Sequence, residues 1–134
     1  MDMNQRQIAL GIARARAING LVMMLAPQLP GRAMFGKAAD SPIIRMLLRL
    51  VGVRDLVLGI GAITTLKEKT MDAEWVGMGA VADGVDAVVA LVTPGLPVRS
   101  RGVALAGASA AFSGLMAARA LADERTPKLS EIDS

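Results

Sequence analysis

Arg54, Asp55, Asp83 and Asp86 are the side chains most able to do chemistry, because each falls well inside an otherwise apolar stretch. An ionised group at bilayer depth is costly unless it is paired, hydrated or able to snorkel. The simplest arrangement is an Arg–Asp cluster joining two helices, with Arg54 offering its planar fork to Asp83 or Asp86. Asp55 lies about 100° around a helix from Arg54, so a different cation is expected for it, and Arg14 or Arg16 is the candidate. Three readings are open. The cluster is an ion-pair network that fixes helix register and adds little net stability, or one acid relays protons or holds a cationic ligand, or the charges line a cavity for an anionic lipid headgroup. Arg45 and Arg49, one helical turn apart, are the candidate headgroup contacts.

Other chemistries are excluded by residue type. The chain has neither Cys nor His, which removes disulfides, Cys/His zinc sites, histidine-ligated haem and cysteine or histidine catalysis. No metal site and no cofactor is expected. Met23 and Met24 read as packing residues, Thr64 and Thr65 as backbone-bonded hydroxyls, and no glycine-rich stretch has the strand–turn–helix setting of a nucleotide loop. The net charge of +3 is small and dispersed, and base-stacking aromatics are absent, so no nucleic-acid partner is expected.

The elements that must position these charges are helical. The 134 residues suffice for one domain, and hydrophobic residues make up 53% against 20% charged. Four apolar segments are expected as helices, at about 7–25, 42–66, 73–93 and 100–122, with 123–134 as a polar mobile tail. Pro27 stops the first, and residues 28–41 read as a turn followed by a short polar connection. Ser41 and Pro42 are a cap and first-turn pair for the second. Asp72 and Glu74 suit the N-terminus of the third, and Trp75 in its first turn suits a headgroup-level indole. The fourth has no charge from Gly102 to Ala118. Arg14 and Arg16 interrupt the N-terminal apolar run and no good cleavage site follows, so this segment is expected to be retained.

Helix faces carry the membrane argument. On the third segment Gly79, Ala80, Asp83, Asp86, Ala87 and Ala90 share one face, while Met78, Val81, Val85, Val88 and Val92 cover the other. A water-soluble helix would bury its valines and expose its acids. In lipid the bulky face meets acyl chains and the small face admits a neighbouring backbone. The fourth segment repeats the pattern with Gly107, Ala110, Ala111, Gly114 and Ala118 opposite Leu105, Phe112 and Met116, and the second adds Gly52, Gly59 and Ala62 near Asp55. The fold expected is all-α, a compact four-helix transmembrane bundle.

Several stretches carry a resemblance: Ala26-Pro27 followed by Gly31-Arg32, Leu47 to Ala62 with Gly52-Val53-Arg54-Asp55 at its centre, and Gly79 to Ala87 with Asp83 and Asp86. In these the chain resembles a family of small four-helix membrane proteins, common in actinobacteria, described as domain of unknown function 4267. It has a looser similarity to DoxX-like membrane proteins, which sometimes serve beside redox partners. The resemblance implies a four-span fold and supplies no activity, catalytic residue or substrate; a bacterial inner-membrane location is expected. Basic residues nearly balance between the two ends, giving the positive-inside rule only a slight preference for cytoplasmic termini. The leading functional expectation is a non-enzymatic accessory or scaffolding subunit, in contact with membrane lipids and with another membrane protein or a second copy of itself. The alternative is a binding or transport protein for a small solute, a proton or a lipid, using the intramembrane Arg–Asp cluster.

Overall fold

A computed structural model of the chain describes residues 3–125, with side chains described over 6–123; residues 126–134 of the expected tail lie outside the described residues. Five α-helices follow one another: α1 (Met3–Leu25), α2 (Gln28–Phe35), α3 (Pro42–Glu68), α4 (Asp72–Val92) and α5 (Val98–Arg125), with a single 3-10 segment at Gly36–Asp40. This corrects the expectation of a four-helix transmembrane bundle. Among the described residues there are five α-helices, and three stretches, Arg6–Leu25, Asp72–Val92 and Val98–Asp123, are long and apolar enough to cross a membrane.

Two physical causes account for the difference. The first is α2, where Pro27 and Pro30 suggest a turn. Pro27 is the N-cap of α2 at φ −59° and Pro30 sits in its first turn, where the missing N–H would have had no intrahelical partner anyway. The prolines start the helix that their presence argues against. The second is α3, long enough at 27 residues but with at least three charged side chains in every 18-residue stretch. It is the helix that brings the polar chemistry. Pro42 occupies its first turn as expected, whereas the Ser41 side chain makes no capping bond.

α1 packs along α3 and α4 along α5, and these two antiparallel pairs meet mainly through α3 and α4. Glycines set the spacing of the first pair. A Cβ on Gly52 would lie 2.7 Å from the Gly20 carbonyl oxygen, and one on Gly59 only 2.6 Å from the Ala17 backbone nitrogen. In the second pair Gly114 meets Ala80. Backbones this close exchange dispersion contacts that bulkier side chains would prevent.

The core is correspondingly small in residue type. Ala9, Ala13, Ala62, Leu66 and Leu121 form a buried cluster against which Trp75 and Val76 pack. Trp75 lies on Gly61 of α3, in the seam between the two pairs. The bulky side chains point outward: Val81, Val85, Val88, Val92, Leu105, Phe112 and Met116 are all exposed. Only 17–28% of the three spanning stretches is buried within the molecule. A surface this apolar needs a bilayer as its solvent.

At one end α2 and the 3-10 segment fold over the start of α3. Gly31 sits under Leu48 and Ala39 is fully buried. Ser100 at the start of α5 donates its hydroxyl to the Met34 carbonyl at 2.8 Å, tying α5 to α2.

Candidate functional site

The charges converge at mid-depth. Asp55 is the central residue of α3, Asp83 stands next to the centre of α4, and Arg16 lies in the middle part of α1. Small neighbours make room for them. Gly79 on α4 lets the Arg16 guanidinium lie 3.4 Å from where a Cβ would be, and Gly52 and Gly59 bring the α3 backbone against α1 on either side of Asp55.

Arg16 links three helices. Its Nη1 donates to Asp55 Oδ1 at 3.4 Å, and its Nη2 donates to the Gly79 carbonyl at 3.2 Å and to Asp83 Oδ2. Arg54 makes the bidentate fork with Asp86, through Nη1 to Oδ1 at 2.8 Å and Nη2 to Oδ2 at 2.5 Å. The two halves share Asp55, because Arg54 also donates to Asp55 Oδ1 from Nε at 3.3 Å and from Nη2 at 3.0 Å. Asp83 thus belongs to Arg16, and Asp86 to Arg54.

Asp55 has two cationic partners rather than one. Asp55 does not avoid its sequence neighbour; it meets both Arg54 and Arg16. Neighbouring Cβ atoms do diverge by about 100° on a helix, but the long arginine stem curls back and cancels the divergence. Of the two candidates on α1, Arg16 joins the cluster. Arg14 is exposed and makes no hydrogen bond or ion pair among the described residues.

Burial grades across the cluster. The side chains of Asp55, Arg16 and Asp83 are 11%, 13% and 16% exposed, whereas Arg54 and Asp86 are 34% and 46% exposed. The inner part is buried between the pairs, and the Arg54–Asp86 part opens outward along the α3–α4 seam. Beside Arg16 lies a partly open pocket of about 30 Å³, bordered by Ile12, Ala13, Ala62, Trp75, Gly79 and Gly114. It is large enough for a water molecule.

The charge count is unequal. Arg16 and Arg54 face three carboxylates, Asp55, Asp83 and Asp86. With every group ionised the cluster carries one negative charge more than its guanidiniums balance. Among the described residues no group of His, Cys, Asp and Glu has the arrangement of a metal site.

A buried ion pair outside the cluster joins Arg6 and Asp72. Arg6 donates from Nη2 to Asp72 Oδ2 at 3.0 Å and from Nη1 to the Leu66 carbonyl at 2.7 Å. Asp72, almost fully buried, also accepts from the Ala73 backbone N–H. This clasp holds the start of α1 to the α3–α4 turn. Charges near helix ends are ordinary, so nothing in the sequence marks these two as a buried pair. Arg45 and Arg49 stand apart from the mid-depth cluster, on the α2 end of α3, along a shallow groove.

The chain is therefore a helical membrane protein with a buried intramembrane Arg–Asp network. No family model, curated protein or solved structure matches it.

Proposed function

We propose that the chain is a membrane binding or transport protein whose working part is the Arg–Asp cluster, and that the species it takes is a proton or a small cationic solute. The observation that carries this reading is the excess carboxylate. Within the bonded network three acids share two guanidiniums, and Arg14 at the same depth lies on another face of α1 without reaching them, so a proton or a cation restores local neutrality in a medium where net charge is costly. The exposure gradient supports it. Asp86 and Arg54 face outward as the accessible end, while Asp55, Asp83 and Arg16 form the more buried end, where Arg16 borders a partly open pocket with room for a water. A network serving only to fix helix register has no need of an unbalanced third acid or of an outward-facing one.

The test is proton flux into vesicles carrying the reconstituted full chain, with a pH-sensitive dye inside and an imposed membrane potential. Flux above that of empty vesicles is expected, and Asp86→Asn should lower it about tenfold or more while leaving the helical content intact. Flux equal to empty vesicles, with no displacement by small organic cations, rejects the reading.

A second reading, an accessory or scaffolding subunit, is favoured by one observation. Arg14 is exposed near the middle of a spanning helix with no partner among the described residues. A cation there is stabilised if another protein or a second copy covers that face of α1.

A further inference from the structure

A second polar feature lies well away from the mid-depth cluster. At the α2 end of the molecule, Pro42, Arg45, Met46 and Arg49 line an open groove of about 250 Å³ on the outer side of α3. Arg45 and Arg49 are one turn apart, so their stems rise from the same face. Arg45 is only half committed. Its Nη2 donates to the Asp40 carbonyl at 2.5 Å, but its Nε is buried without an acceptor. Its Nη1 makes no hydrogen bond among the described residues and is not buried, so that nitrogen is the donor left for an incoming anion. Arg49 is exposed and makes no hydrogen bond or ion pair among the described residues. The nearby Asp40 carboxylate is occupied by Arg32, from Nε at 3.2 Å and Nη2 at 3.0 Å.

Depth and surroundings define the occupant. Arg45 and Arg49 precede Asp55 by ten and six residues, or about 15 and 9 Å along the helix. A hydrocarbon core of roughly 30 Å extends about 15 Å from its centre. Because Gly52 packs beside Met24, near the Leu25 end of the spanning stretch of α1, Arg45 stands at the headgroup boundary and Arg49 reaches it by extending its stem. Below the groove, Met46, Leu50, Val53 and Val57 are exposed along one strip of α3 running toward the membrane centre. This end of the protein is also the cationic one. Arg32, Lys37, Arg45, Arg49, Arg99 and Arg101 face Asp40 alone, whereas at the opposite end Arg6, Lys67, Lys69 and Arg119 are matched by Glu68, Asp72, Glu74 and Asp123.

We propose that this groove is a binding site for the phosphodiester group of an anionic membrane lipid, held by Arg45 and Arg49, with an acyl chain along Met46, Leu50 and Val53. Two guanidiniums suit a phosphate's several acceptor oxygens, and the apolar strip suits the tail of the same molecule. The site is separate from the Arg–Asp cluster and does not depend on its function.

The test titrates the full chain in mild detergent with short-chain phosphatidylglycerol, reading bound lipid by native mass spectrometry. Parallel titrations use phosphatidylcholine and inorganic phosphate. One phosphatidylglycerol per chain is expected, with phosphatidylcholine about tenfold weaker or more and millimolar phosphate failing to displace the lipid. Arg49→Gln, which removes no contact of the folded protein, should weaken phosphatidylglycerol about tenfold, as expected for one charge-assisted bond. Arg101→Gln, on the same end but outside the groove, should leave binding unchanged. Equal binding of the two lipids overturns the proposal, as does equal weakening by the two substitutions. Displacement by inorganic phosphate assigns the groove to a free anion and overturns the lipid assignment.

Discussion

Removing the Arg16 guanidinium would leave Asp83 without its cation and Asp55 with Arg54 alone, both carboxyls being largely buried. Breaking a buried pair from one side costs more than the pair contributes net, because the remaining charge stays desolvated. Arg16→Met is therefore expected to cost about 3 kcal/mol or more, read as a lowered thermal midpoint in detergent. Arg54→Met should cost distinctly less, since Arg54 and Asp86 stand at the open end of the network. The reverse ranking would contradict the exposure gradient. The sequence exposed the members of this network but not its pairing. Asp55, Asp83 and Asp86 stand out against apolar neighbours because charge inside a spanning stretch is costly. Which guanidinium each one meets depends on how α1 lies against α3 and α4, and on the flexible stem that lets Arg54 fold back on Asp55. Arg14 and Arg16 are alike as sequence signals and differ only in the face of α1 that they occupy.

Helix faces were legible for a related reason. In lipid the contrast that counts is side-chain size, and the runs containing Gly52, Gly59, Gly79, Ala80 and Ala87 against valines display it openly. What those runs do is measurable at Gly59. Its missing Cβ would fall against the backbone of Ala17, which has no rotamer with which to yield. Gly59→Val should separate α1 from α3 and cost about 3 kcal/mol, at the upper end of ordinary overpacking. Gly11→Val, at a position with nothing within 4 Å, is the control and should leave the thermal midpoint nearly unchanged. Equal effects would mean that the α1–α3 contact is not set by backbone approach. The short helix α2 was not legible, because Pro27 and Pro30 indicate a turn to any reading of local preference. The helix is set by the fold, in which the Gly31 N–H donates to the Pro27 carbonyl at 3.0 Å and Gly31 packs beneath Leu48. Length alone marks α3 as a spanning stretch, whereas its density of charge keeps it out of the stretches apolar enough to cross.

The whole molecule presents an apolar exterior, a cationic end and one exposed arginine at mid-depth. If a partner covers Arg14, Arg14→Leu should change the mass of the assembly extracted in mild detergent, and native mass spectrometry would show a lighter complex. An unchanged complex means that Arg14 reaches the headgroups by snorkelling and marks no interface. The division of the fold into two helix pairs bears on how the protein is made. The first pair, α1 with α3, carries Arg16, Arg54 and Asp55 at its centre, an excess of positive charge. The second pair, α4 with α5, brings Asp83 and Asp86 and no cation at that depth. Each pair alone places unbalanced charge in the bilayer, of opposite sign to the other, and the excess is largely relieved when they meet. During synthesis the earlier pair must wait in the membrane for the later one, and electrostatic attraction gives their meeting a direction that apolar surfaces in lipid would not. The turn at Lys69–Met71 then serves mainly to keep the halves close, so a chain divided there should still assemble from two separately inserted pieces.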